Sequence, residues 1–254
     1  MSITGLIRIC TYVISRFWGV VLALALWQLW VLTTTPNSLI VVAPIVVFRD
    51  IAAEPMIYIY PGLWTLGIAL AGLLTGTLLG LLLAVLAWTS NVLSGVFGPA
   101  AILMSSTPVV CIIPLLARVF GYGTFTELVT VSIMMFFPSF VFASIGLRSL
   151  PHMSSNLLDT WNTSRTRRLR LLALPAAMPS LATAIRAGAA ASVLVAVVAE
   201  YLMQTGGLGA LFAATMQQFD IPRAFGASIF AMLLSATLYS GAGLVELRIR
   251  AHYR

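Results

Sequence analysis

From Trp64 to Trp88 the chain carries no charged side chain, and five other runs are nearly as bare. They extend from about Phe17 to Thr35, Ala100 to Ala117, Leu128 to Leu147, Leu181 to Leu202 and Phe225 to Val245. About 20 helical residues cross about 30 Å of hydrocarbon, and a helix satisfies its own backbone polar groups there. The runs therefore predict about six transmembrane helices in an all-α, polytopic membrane bundle forming one domain over residues 1–254. Composition argues against a large soluble helical protein: 60% of residues are hydrophobic and 8% charged, against about 45–50% and about 25% in soluble domains. The first run follows Arg8 and Arg16 as a signal peptide would. It is long, however, and no small-residue cleavage site follows, so it counts as a span.

The net charge is +7, and all fourteen basic residues are arginine. An even number of spans puts both ends on one side. With the N-terminus in the cytoplasm, the inner side collects Arg8, Arg16, Arg148, Arg165, Arg167, Arg168, Arg170, Arg248, Arg250 and Arg254. The outer side keeps Arg49, Arg118 and Arg223, and Arg186 falls near the inner end of the fifth span. Positive residues in short loops stay inside, so both termini are expected in the cytoplasm. The arginine bias is thus a topology signal and not a nucleic-acid footprint, which would need a basic face on a soluble fold. Cys10 and Cys111 lie far apart without metal-ligand neighbours, and His152 and His252 sit at span ends. No metal site is expected.

Four arginines fall within Arg165–Arg170, inside a loop from about Arg148 to Met178 that is longer than two spans need. Pro151 ends the preceding helix, and Ser154 or Ser155 can cap a short helix bearing Leu157, Leu158 and Trp161. Asn162 tolerates the left-handed turn that closes it. A second, basic helical stretch leads to Leu174 and Pro175. Apolar side chains on a short helix outside the membrane need a protein to pack against.

At this point the sequence resembles the inner-membrane permease subunits of bacterial ATP-binding-cassette importers, in the branch serving sulfonates, taurine, nitrate, bicarbonate and thiamine precursors. The family's cytoplasmic signature is Glu-Ala-Ala, three residues, Gly, nine residues, Ile, any residue, Leu-Pro. Anchored on Leu174-Pro175, its isoleucine place falls on Leu172, its glycine place on Asn162, and its Glu-Ala-Ala place on Asn156, Leu157 and Leu158. A slide of three residues would instead put Asp159 on the acid. The segments "TPVVCIIPLLARVFGYG", "FFPSFVFASIGLRSLP" and "LPAAMPSLATAIRAGAAASVLVAVVAEYLMQTGGLG" resemble the third, fourth and fifth spans in order.

The resemblance implies a type I importer fold, one permease domain over 1–254 and an ATPase-coupling loop at 148–178. It also implies two cytoplasmic ATP-binding subunits gripping Asn156, Leu157, Leu158, Asp159, Trp161 and Asn162, with Arg165, Arg167 and Arg168 on the rim. A second copy or sister permease, an external substrate-binding protein and the bilayer complete the set. ATP and magnesium would be bound by the partner, since a phosphate-binding P-loop needs a lysine and the chain has none. Many relatives carry an arginine three residues before the proline matching Pro108; here that place is Ser105, which argues against a small oxyanion substrate.

Gly72, Gly76 and Gly80 recur every fourth residue in the second span, and Ala184, Gly188, Ser192 and Ala196 form a similar row in the fifth. Small residues let helix backbones approach closely, either within the chain or between subunits. Glu200 is the carboxylate at the outer end of the fifth span. An acid at membrane depth belongs to a gate or its support, or is hydrated at the interface. Ser105 and Pro108 join it as candidates for the translocation path, Pro108 with Pro114 and Pro138 shaping helices statically. An ion-driven secondary transporter would need more intramembrane ionisable groups, and a membrane enzyme a nucleophile–base pair or metal cluster, and neither is present in the sequence. In a chain cleared of Cys10 and Cys111, cysteine at Ser164 is expected to resist an impermeant maleimide outside intact cells. Ready labelling there would invert the topology.

Overall fold

The computed structural model describes residues 3–34, 41–105, 107–149 and 164–253, with the side chains of 3–17, 91, 102, 104 and 105 left aside. Every element among the described residues is helical. They are α1 (Ile3–Thr34), α2 (Pro44–Ala53), α3 (Met56–Thr89), α4 (Asn91–Ser105), α5 (Val109–Phe120), α6 (Thr124–Arg148), α7 (Arg165–Met203), α8 (Gly207–Gln217) and α9 (Ile221–His252). Four of them, α3, α6, α7 and α9, are long and apolar enough to cross a membrane.

The core is the parallel contact of α3 with α6, and α7 packs antiparallel to α6 next to it. A Cβ atom added at Gly72 would collide with Val131, one at Gly76 with the carbonyl oxygen of Ser132, and one at Gly80 would come 2.7 Å from the carbonyl oxygen of Phe136. The glycine row of α3 therefore lies on the backbone of α6, inside the chain. Hydroxyl pairs stitch the seam, Thr75 with Ser132 at 2.6 Å and Ser139 donating to Thr77 at 3.2 Å. Gly188 of α7 faces Leu73 and Met135, while Gly146 of α6 lies against Ala177.

Where the third span was expected, over Ala100–Ala117, the structure has two shorter helices. α4 has 15 residues and α5 has 12, so each falls short of the roughly 20 residues needed to cross. Pro108 has extended backbone, φ −61° and ψ 127°, and caps α5. Its ring drives the preceding residue out of the helical region, so here it ends a helix instead of bending one. Pro114 and Pro138 do sit within α5 and α6.

The fifth span also begins earlier than expected. Helix α7 runs unbroken for 39 residues from Arg165, with a wide π turn over Leu169–Ala173 directly before Pro175. Pro175 cannot donate to the carbonyl one turn back and its ring crowds that oxygen, and the wider turn relieves both. The basic stretch and the membrane helix are thus one rod. The segment "LIVVAPIVVF" is helical from Pro44 as α2, whose Val47 packs with Val42 and with Ile221 at the start of α9. Helix α8 was not expected at all.

Replacing Gly76 with valine is expected to wedge α3 off α6 and cost about 1–3 kcal/mol, as overpacking does. Gly67, with open space around it, should accept alanine within about 0.5 kcal/mol. Thermal unfolding of the two variants in detergent compares them directly.

Candidate functional site

Two polar clusters sit at opposite ends of the bundle. The first is built around Glu200, which is fully buried near the C-terminal end of α7. Gln204 closes that helix in the left-handed region at φ 52°, and Gly207, at φ 74°, turns the chain back into α8. The carboxylate oxygen Oε2 of Glu200 accepts from the backbone N–H of Gly209 at 3.0 Å and from the Thr65 hydroxyl at 2.9 Å. Thr65 Oγ1 in turn accepts from the N–H of Leu208 at 2.9 Å. The first N–H groups of a helix have no partner within it, so Glu200 and Thr65 together cap α8 from two other helices. This explains the Gly-Leu-Gly spacing: a Cβ on Gly207 would overlap the Glu200 carboxylate, and one on Gly209 would overlap the Val197 carbonyl. Glu200 is therefore a buried brace and not an acid hydrated at the interface. Glu127, fully buried in the first turn of α6, lies at the same end.

The second cluster, at the arginine end, centres on Glu246 of α9, which is 5% exposed. It accepts from Arg186 Nη1, Thr183 Oγ1 and Arg250 Nε, each at 3.0 Å, and Arg250 Nη2 also donates to Thr183 Oγ1 at 3.0 Å. The Arg186 guanidinium stacks 4.5 Å over the ring of Tyr239. Arg165 donates to the Thr89 carbonyl at the C-terminal end of α3 at 3.0 Å, and Arg148 to Ser94. Cations at helix C-termini oppose the helix dipole. Arg165 is thus tethered to the bundle, Arg167 is exposed and Arg168 half-buried.

Between these clusters α7 and α9 splay apart around a groove of about 760 Å³, walled by Ala190, Leu194, Ser228, Met232, Ser235 and Tyr239. Helix α9 has its most apolar stretch only 6% buried. Pro108 is exposed at the head of α5. Asn156, Leu157, Leu158, Asp159, Trp161 and Asn162 lie outside the described residues, as does the side chain of Ser105. A third network, not anticipated from sequence, joins Arg223 to Glu54 at 3.4 Å, Asp50 at 3.5 Å and Asp220 at 3.6 Å, with Tyr58 donating to Asp50. Its members are scattered over α2, α3 and α9, and the only local signal is Asp220 three residues before Arg223.

Residues 76–251 match the family described as binding-protein-dependent transport system inner membrane component. The chain belongs to that family. It is a permease subunit of an ABC importer, a multi-pass inner-membrane protein of a transporter family and not of a catalytic one. A probable ABC transporter permease protein of Haemophilus influenzae is 33% identical over 66% of this chain and 69% of its own length. The formylaminopyrimidine transport permease protein ThiX of Halalkalibacterium halodurans is 31% identical over 68% of this chain and 69% of its own. RibX of Chloroflexus aurantiacus, a riboflavin transport system permease protein, is 31% identical over 58% and 55%. Among solved structures, a chain of the inward-facing MetNI methionine ABC transporter superposes with a TM-score of 0.65 at 16% identity, covering 77% of this chain and 98% of that one. The type I importer fold is therefore shared.

Replacing Glu200 with alanine leaves the Gly209 N–H buried without an acceptor, while the Thr65 hydroxyl keeps the Pro61 carbonyl, a loss of about 1–3 kcal/mol. Hydrogen exchange is expected to quicken over residues 207–217 and to stay unchanged across the α3–α6 seam.

Proposed function

We propose that two copies of this permease, or one copy and a sister chain, enclose a path for a small solute delivered by an external binding protein. Two cytoplasmic ATPases drive it, so the chain needs no cofactor of its own, and both termini share their side of the membrane. The observation that carries this reading is the continuity of α7: a rod of 39 residues begins at the basic segment Arg165–Arg168 and ends at the Glu200 brace. A displacement applied by an ATPase near Arg165 reaches the far end of the bundle through one rigid element, the kind of rigid-body motion on which alternating access depends. The groove between α7 and α9 then borders the path, with the exposed face of α9 turned to the second permease. The named cargoes of ThiX and RibX are nitrogen heterocycles, and the absence of an arginine at Ser105 suits a solute of that kind better than a small oxyanion.

The coupling segment gives the test. With Leu157, Leu158 and Trp161 seated in an ATPase cleft, Trp161→Ala is expected to loosen the complex by about 2 kcal/mol or more, as truncated interface anchors do. Arg167→Gln with Arg168→Gln should act more weakly and with a salt dependence. ATPase copurification and hydrolysis in reconstituted membranes report both effects, with monodispersity of the permease as the folding control. Normal assembly and coupling in Trp161→Ala, or ATP turnover by the permease purified alone, would overturn the reading.

A further inference from the structure

The groove between α7 and α9 ends against the Glu246 cluster. Met232, Ser235 and Tyr239 line it on α9, and one face of a helix recurs every three or four residues. Gly243, Glu246 and Arg250 continue that row, and Thr183 and Arg186 continue the α7 wall past Ala187 and Ala190. Arg186 joins the two features. Its guanidinium lies over the Tyr239 ring, and a Cβ added at Gly243 would sit 3.2 Å from its Nε. The apolar wall and the basic end are one continuous surface.

Along the wall the serine hydroxyls are already used. Ser235 donates to the Ala190 carbonyl and Ser228 to the Ala224 carbonyl, each at 3.2 Å. Such a wall suits an alkyl chain. The basic end has the opposite character. One carboxylate, Glu246, answers both Arg186 and Arg250, whose side chains are 37% and 50% exposed. The Arg186 Nε has no acceptor. One positive charge is therefore left for an anion. A second copy of the chain brings no free acid to this point. Among its described residues, the carboxylates other than Glu246 belong to the networks at the Glu200 end.

The spacing of the two features fits a phospholipid. The apolar run of α9 ends near Val245, and Ser235 lies about 15 Å further along the helix, half of the roughly 30 Å of hydrocarbon. A phosphate at the level of Arg186 and Arg250 thus lays an acyl chain past Tyr239 and Ser235 towards Met232. Basic pockets between transmembrane helices are also where anionic headgroups are held.

We propose that the α7–α9 groove binds an anionic phospholipid of the leaflet at the arginine end. Arg186 and Arg250 hold its phosphate, and one acyl chain lies along Tyr239, Ser235 and Met232. The lipid packs α9 against α7 where the two helices splay. The part of the groove around Ser228 stays free to border the solute path. The opposite face of α9, with Leu233, Leu244 and Leu247 exposed, stays free for the second permease. The lipid site is independent of which solute is carried.

Bromine atoms on an acyl chain quench an indole that they touch, which gives a direct probe. Met232→Trp places an indole in the groove, and Leu233→Trp places one on the opposite face of the same helix. The assembled transporter is reconstituted in phosphatidylcholine vesicles that carry brominated phosphatidylglycerol or brominated phosphatidylcholine at equal mole fraction. The Met232→Trp indole is expected to be quenched about fivefold more effectively by the anionic lipid, the preference that one arginine near an anionic headgroup supplies. The Leu233→Trp indole should show no preference. Adding Arg250→Gln, which leaves the Arg186–Glu246 pair in place, should remove the preference at Met232→Trp. Ala236→Phe fills the groove without touching a charge, should lower quenching by both lipids, and carries the test if Arg250→Gln fails to assemble. Equal quenching of Met232→Trp by the two lipids means ordinary bilayer contact and would overturn the proposal. So would quenching by neither, the sign of a second permease closing the groove, or a preference that survives Arg250→Gln. Loss of the preference with ATPase coupling intact bears on the lipid site alone and leaves the permease reading untouched.

Discussion

The close approach of α3 and α6 governs the rest of the bundle. In lipid there is no hydrophobic drive between helices, because acyl chains are as apolar as leucine, so cohesion comes from tight packing and interhelical hydrogen bonds. Gly72, Gly76 and Gly80 let α3 lie on the backbone of α6, and the Thr75–Ser132 and Thr77–Ser139 hydroxyl contacts add hydrogen bonds across the seam. Helix α7 then fits the same pair through two further small-residue contacts, Gly188 on Met135 and Gly146 on Ala177. Of the four long apolar helices, α3, α6 and α7 are held together by these close approaches. Helix α9 is held by α7 at its arginine end through Glu246, with one mid-length link from Ser235 to the Ala190 carbonyl.

The long apolar runs made the membrane class and most spans legible in the sequence, since length and lack of charge are what the bilayer selects. The failures have physical causes. Pro108 was read as a bend, but it falls where two short helices meet, and hydropathy averaged across the break. Helix α8 is 11 residues long and begins Gly-Leu-Gly, so composition marks it as a turn. It is a helix because Glu200, just before it, and Thr65, distant in sequence, supply its cap. Glu127 drew no attention because it sits one residue outside the predicted fourth span, where a carboxylate reads as hydrated. Only the packing of α6 against its neighbours shows that no water side remains. The glycine row was visible, but whether it faced α6 or another subunit depends on which helix is its neighbour, and local spacing does not carry that information.

The distribution of polar groups bears on how such a bundle can move. Helix α7 is pinned to Glu246 at Thr183 and Arg186 and to the α8 cap at Glu200, whereas between these points it meets α9 across a groove lined by small and apolar side chains. Bending α7 would break backbone hydrogen bonds in a medium that offers no replacement, at a cost of several kcal/mol each. The π turn at Leu169–Ala173 already rearranges the hydrogen-bond ladder, and it lies between the basic segment and the transmembrane part. A load applied at Arg165 therefore has two low-cost responses: to swivel at this turn, or to carry α3, α6 and α7 as one body. The Arg165 tether to the Thr89 carbonyl and the Gly146–Ala177 contact on either side of the turn oppose the swivel. The rigid-body response is the one that remains, and it changes the width of the α7–α9 groove, where small and apolar side chains and no backbone approach line the interface.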